Sequence, residues 1–236
     1  MDEKLSCIDC HQFGCRKGTG EYPEFCLTKN LNADTYKRAM DHYEEEENKR
    51  VMVSAALTEH EGYCRRTRVE EVMHFAHKIG AKKLGIATCI GLIEESRTLA
   101  KILRINGFEV VGVACKVSTT KKVDIGIPEE CNKTGPIMCN PILQAELLND
   151  EETDLNLIMG LCVGHDSLFI KHSKALVTSV VTKDRVLGHN PAVCLYQANG
   201  YYKKLLEPQE FKALKSHRHE RTMAFFTLTR VLRRGF

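Results

Sequence analysis

Tryptophan is missing from this chain of 236 residues, aromatic residues make up only 7%, and there are just 6 prolines. Nowhere does an apolar run approach the roughly 20 residues a helix needs to cross a bilayer, which argues against a membrane partner. The start, Met1-Asp-Glu-Lys-Leu-Ser-Cys7, is acidic and has no hydrophobic stretch, so no signal peptide is expected. Charge of one sign is also lacking, since the formal net charge is only +3. From Pro208 onward seven Lys/Arg face two Asp/Glu, a local +5, which leaves 27 basic and 29 acidic groups before it. A near-neutral body of that kind is not expected to bind nucleic acid. With 43% apolar and 28% charged residues the chain is not disordered or of low complexity, and a cytoplasmic protein is expected.

Against these scarcities stand eleven cysteines. An odd number cannot all pair within one chain, and a cytoplasmic setting keeps thiols reduced. The question is therefore which thiols bind something and which fill a core.

Four of them crowd the first 26 residues as Cys7-x2-Cys10-x4-Cys15-x10-Cys26, with His11, Gly14, Gly18, Gly20 and Pro23 between them. A piece this short and glycine-rich cannot bury much apolar surface, and a metal is the usual substitute for a core. The four thiols suit a tetrahedral Zn²⁺ or a four-thiolate iron–sulfur cluster, and His11 in place of one thiol favours zinc.

The rest divides into a helical segment over 33–80, an α/β domain over 81–206 and a basic tail over 207–236, after the cysteine-rich module of residues 1–32. Asn32 or Asp34 can cap a helix from Tyr36 to about Glu47, with helices following over Val51–His60 and Arg66–Lys78. Strands are expected over Lys83–Thr88, Phe108–Ala114, Leu155–Leu161 and Ala175–Val181. Helices are expected over Glu94–Ile105 and Pro141–Leu148, from an Asp166 cap to Lys171, and over Ala192–Ala198. Asn140-Pro141 and Asn190-Pro191 are paired helix-start signals. A further helix over Met223–Arg233 is expected in the tail. Buried strands alternating with helices predict an α/β fold with a mostly parallel sheet covered on both faces.

On that scaffold Cys89 directly follows the first strand, Cys115 the second and Cys162 the third, while Cys139 immediately precedes Asn140. Parallel strands open their carboxyl ends on one edge, where ligands bind, so four thiols from four separated stretches can converge there. The alternative is that these cysteines pack as small hydrophobes. Cys131 lies on a loop that can reach the same edge, whereas Cys64 and Cys194 read as structural. His165 and Lys183 are candidates for a proton carrier or ligand-positioning group, as they follow the third and fourth strands. Asp166 reads as a helix cap.

Several strings together, Cys7-x2-Cys10, Cys139-Asn-Pro, Gly160-Leu-Cys-Val-Gly-His-Asp166 and Lys183-Asp-Arg-Val-Leu-Gly-His-Asn-Pro191, resemble an uncharacterised prokaryotic family of cysteine-rich metal-binding proteins found largely in anaerobes. The resemblance covers about residues 5–205. It implies metal or iron–sulfur binding in the cytoplasm and supplies no reaction. Two centres are expected: Cys7, Cys10, Cys15 and Cys26 around one, and Cys89, Cys115, Cys139 and Cys162 around the other. Their cofactor would be a 4Fe–4S cluster with redox or small-ligand (sulfur) chemistry, served by a redox partner protein or a small molecule. The competing expectation is zinc, for storage, delivery or sensing. A thiol enzyme with Cys162 or Cys139 as nucleophile is a third reading.

Overall fold

The computed structural model describes residues 4–18 and 20–209. The chain divides into two compact units, with the division between Arg185 and Val186.

In the first unit, a short helix α1 (Gly14–Lys17) precedes α2 (Ala33–His42), α3 (Glu46–Gly62) and α4 (Arg68–Ile79). Asn32 caps α2 through its side chain, as the sequence suggests, but the helix stops at His42 rather than running to Glu47. Glu45 is the reason: instead of forming a helical pair with Lys49, its carboxylate takes His42 Nδ1 at 2.8 Å and Asn48 Nδ2 at 3.0 Å. It thereby marks the start of α3. Thr67 and Glu70 form a reciprocal capping box at the start of α4, and Gly80 closes it in the left-handed conformation.

Next come β1 (Lys83–Thr88), α5 (Ile93–Ile105), β2 (Glu109–Ala114), α6 (Pro141–Asp150), β3 (Leu155–Met159), α7 (His165–His172) and β4 (Leu176–Val181). The four strands form one sheet in the order β2-β1-β3-β4, every neighbouring pair parallel. The fold is α/β.

Alternation along the strands builds two cores. Leu84, Ile86, Val110, Leu155, Leu157 and Met159 face Val72, Ala76 and Ile79 of α4 and Leu99 and Leu103 of α5. Ala87, Val113 and Ile158 face Ala145 and Leu148 of α6 and Phe169 of α7 on the other side. A buried polar residue, Asn156, interrupts the apolar run of β3. Its Oδ1 accepts from Thr153 Oγ1 at 2.8 Å, and its Nδ2 donates to Ser173 Oγ at 2.8 Å. Gly85 in β1 is glycine for this reason, because a Cβ there would stand 1.9 Å from Asn156 Oδ1.

The strand order makes the chain leaving β1 and the chain leaving β3 diverge. The first leads to α5 on one face and the second to α7 on the opposite face. That divergence is the topological switch point of an open parallel sheet.

The second unit holds α8 (Ala192–Tyr196) and a short 3-10 turn, Lys203–Leu206. Asn190-Pro191 delivers a shorter helix than expected, with Pro191 itself at the cap. The expected helix over Met223–Arg233 lies outside the described residues. Among the described residues no helix is long and apolar enough to cross a membrane.

Candidate thiolate centre at the carboxyl edge of the sheet

Backbone hydrogen bonds at the strand ends place each thiol. Cys89 N donates to Met159 O at 3.1 Å, so the residue after β1 is held against the end of β3. Cys115 N donates to Thr88 O at 2.8 Å, which holds the residue after β2 against β1. The chain then makes an excursion and returns where Asn140 N donates to Cys115 O at 2.8 Å. Cys139 is thereby delivered beside Cys115. Asn140 Oδ1 caps α6 by accepting from Leu143 N at 3.1 Å, so Cys139 immediately precedes a capped helix N-terminus.

The edge is pinned from below by Gln144, which is fully buried on α6. Its Nε2 donates to Val113 O at 2.7 Å and to Thr88 O at 3.1 Å, tying α6 to the ends of β1 and β2. Nothing in the sequence pattern marks this residue among the polar side chains of α6, which also include Glu146, Asn149 and Asp150.

Cys115 is almost fully enclosed and interacts through its thiol with both Cys139 and Cys89. Ile90 N also donates to Cys115 Sγ at 3.4 Å. The Cys115 pKa is pushed up, by its two sulfur neighbours and by burial. Cys139 is pulled down to about 3 by the Cys115 thiol, then by His165, with Lys116 adding positive charge. Cys89 falls to about 5 through the Cys115 thiol, the backbone N–H of Gly91 and Lys183. His165 is raised, chiefly because the Cys139 sulfur favours the imidazolium.

Cys162 is placed differently. Its carbonyl accepts from His165 N at 2.9 Å and Asp166 N at 3.2 Å, a turn that carries His165 back toward Cys139. Its sulfur accepts from the Arg185 guanidinium at 3.0 Å. Gly160, at φ +64°, makes the bend at the end of β3; a Cβ there would lie 2.2 Å from Leu92 Cδ1 and 3.5 Å from Lys183 Cε. Asp166 does not cap α7: Gly164 occupies that position, and Asp166 Oδ1 accepts from Ser167 N at 2.8 Å inside the first turn.

The edge therefore brings Cys89, Cys115 and Cys139 into one interacting row, with His165, Lys116 and Lys183 beside it and the Cys162–Arg185 pair close enough for Arg185 to feel Cys89 and Cys139. Lys116 was not singled out by sequence reasoning, although it directly follows a strand-end cysteine. Its Nζ also donates to Ile137 O at 2.6 Å, holding the returning loop in place. Arg185 was visible only as part of the Lys183-Asp184-Arg185 string.

Cys131 is exposed on the 3-10 segment Glu129–Thr134, where its carbonyl accepts from the buried Lys122 Nζ at 2.5 Å. Cys139, not Cys131, is the thiol beside Cys115. In the N-terminal segment Cys7 and Cys15 are exposed and Cys10 and Cys26 half-buried, and His11 is exposed. Cys10 N donates to Cys7 O at 3.3 Å, which closes a 3-10 turn over Cys7–Asp9. The Cys26 pKa is lowered by the Lys29 backbone N–H. Cys64 is exposed in a left-handed conformation, and Cys194 Sγ donates to Pro191 O at 3.0 Å within the second unit. Among the described residues no three His, Cys, Asp or Glu side chains are gathered as a metal ion requires.

A family model described as a protein of unknown function, DUF1847, matches residues 26–180. That range contains Cys89, Cys115, Cys139, Cys162 and His165, and it stops short of Lys183 and Arg185. The chain is also 43% identical over 204 residues to the Uncharacterized protein MJ0455 of Methanocaldococcus jannaschii, an alignment covering 86% of this chain and 99% of that one. On both counts the chain belongs to the DUF1847 family.

Proposed function

We propose that the carboxyl edge of the sheet is a thiolate centre for a soft metal, an iron–sulfur cluster in the first instance, serving redox or small-ligand chemistry. One observation carries this reading: backbone hydrogen bonds bring Cys89, Cys115 and Cys139, from three separate segments, to one edge of the sheet at the switch point. Core cysteines behave as small neutral hydrophobes and call for no such company. The donor type suits a metal that prefers sulfur, while the described side chains as placed do not gather three around one point, so binding would require them to close in. Cys89, Cys115 and Cys139 would hold it, and binding requires the Cys115 proton to leave. When bound, a cluster would supply an electron acceptor or a Lewis-acidic iron. His165 would hold a proton beside Cys139, and Lys183 would balance charge at Cys89.

In the same reading Cys7, Cys10, Cys15 and Cys26 form a second centre that orders the start of the chain, with His11 as the nitrogen alternative. Zinc is the second reading for both centres. The observation favouring it is His165 against Cys139, since mixed sulfur and nitrogen ligation is a zinc habit. The deciding measurement is metal and acid-labile sulfide per chain in protein purified without oxygen. Iron with sulfide and a brown colour supports clusters, whereas zinc in a colourless preparation supports the second reading. Protein with neither metal, and unable to take up either when offered, removes both.

A further inference from the structure

After β2 the chain leaves the sheet edge at Cys115 and returns to it at Cys139, and the neck of that excursion is closed by hydrogen bonds. Asn140 N donates to Cys115 O at 2.8 Å, Met138 N to Thr120 O at 2.9 Å and Lys122 N to Pro136 O at 2.9 Å. Lys116 Nζ donates to Ile137 O at 2.6 Å, and Lys121 and Ile137 form an antiparallel bridge. The two cysteines therefore sit at the base of a loop whose ends the fold already holds together. Their side chains share one neighbourhood as well, since Cys139 packs against the buried cluster that contains Cys115 and Cys89.

Access separates the two. Cys115 is 2% exposed, whereas Cys139 is half-buried. A molecule arriving from solvent reaches the Cys139 sulfur first, and what is already attached to Cys139 lies next to Cys115. Ile90 N–H points at Cys115 Sγ at 3.4 Å and supports negative charge on that sulfur when its proton leaves. Lys116 and His165 stand beside Cys139, where they meet the charge of a departing thiolate. An accessible thiol with an enclosed one directly behind it suits thiol–disulfide exchange, which runs through a mixed disulfide that a second thiol resolves. Joining the pair costs little chain entropy, because the neck is closed before any bond forms.

We propose that Cys139 and Cys115 are the attacking and the resolving thiol of a pair that reduces small disulfides and becomes a disulfide itself. The Cys139 sulfur attacks one sulfur of the substrate, whose S–S bond breaks. A mixed disulfide forms, and the first thiol leaves with the proton that Cys139 gave up. Cys115 then attacks Cys139 Sγ, the mixed disulfide breaks, and the second thiol leaves with the Cys115 proton. The pair is oxidised by two electrons and the substrate is reduced to two thiols. No metal takes part, so this activity goes beyond the metal reading and does not depend on it.

The test treats the full chain, reduced, freed of metal by a chelator and held without oxygen, with oxidised glutathione. Remaining thiols are then alkylated and the peptides mapped by mass spectrometry. The expected product is a Cys115–Cys139 cross-link with no glutathione kept on either residue, while the exposed Cys64 keeps its glutathione and serves as an internal reference. In Cys115→Ser the cross-link is lost and glutathione stays on Cys139. In Cys139→Ser the Cys115 thiol remains free, and this change at a half-buried position tests the order of attack even where Cys115→Ser fails to fold. A Cys89–Cys115 or Cys131–Cys139 bond in place of the expected one overturns the proposal. So does glutathione retained on Cys139 of the unaltered chain, or modification of Cys115 in Cys139→Ser as fast as in the unaltered chain. All these outcomes are read on metal-free protein, so the thiolate-centre reading stands or falls on its own measurement of metal and sulfide.

Discussion

The downward shift at Cys139 and the upward shift at His165 both favour thiolate beside imidazolium, and their directions set a pH window. The Cys139 pKa lies far below that of a free thiol, so its contribution is present above the free-thiol value and is lost as pH falls through about 3. The His165 pKa is raised, so its contribution is complete below the free-imidazole value and disappears as pH climbs through the raised one. Both charges coexist between those limits. In reduced, metal-free protein the ultraviolet absorbance of thiolate at mildly acidic pH is therefore expected to drop in Cys139→Ser. In His165→Asn its titration midpoint should move upward. A midpoint indifferent to His165 would mean that the imidazole does not stabilise the thiolate.

Among the elements, β1 and β3 are the pair that brings Cys89 to the switch point, and their contact depends on Gly85 lying under Asn156. Gly85→Ala puts a methyl group 1.9 Å from Asn156 Oδ1 in a fully buried place. Overpacking of this kind costs about 1–3 kcal/mol, so the urea midpoint should fall by a corresponding amount. An unchanged midpoint would show that the strands can part without cost. The N-terminal segment raises the opposite issue, since Gly14 is its only buried residue between Cys7 and Lys17. If metal orders it, Cys10→Ser releases one metal equivalent and speeds proteolytic cleavage before Ala33. Unchanged metal content and protease resistance would leave those four thiols without a shared role.

Over the molecule as a whole, burial is distributed unevenly. All of β3 is buried, whereas α2 buries no residue and α3 buries only Ser54, Thr58 and Gly62. Local opening costs least where few apolar contacts must be broken. Hydrogen exchange read by mass spectrometry should thus show α2 exchanging fastest among the long helices and β1 and β3 slowest. Comparable protection of α2 and β3 would contradict this ranking. Adding metal to the metal-free protein should also raise its melting temperature, by about 2.7 kcal/mol of stabilisation at a hundredfold excess over the dissociation constant.

Periodicity and punctuation in the sequence were enough to locate the elements and their class. Lys83–Thr88 reads as a strand because it is apolar enough to be buried on both faces, and Asn140-Pro141 reads as a helix start because a side-chain acceptor precedes a residue with no N–H to satisfy. The strand-end positions of Cys89, Cys115 and Cys162 were legible on the same grounds, since they depend only on where each strand stops. The partners of each sulfur were not. Strand order decides whether neighbouring strand ends belong to β1 and β2 or to β1 and β3, and local pattern carries no record of order. The buried bonds of Gln144, the return of Cys139 to Cys115 and the grip of Arg185 on Cys162 join residues up to 56 positions apart for Gln144–Thr88, and 23 for Arg185–Cys162. Those pairings arise from packing two helical layers onto one sheet, and they separate the sulfurs into an interacting row of three and a fourth held by its own cation.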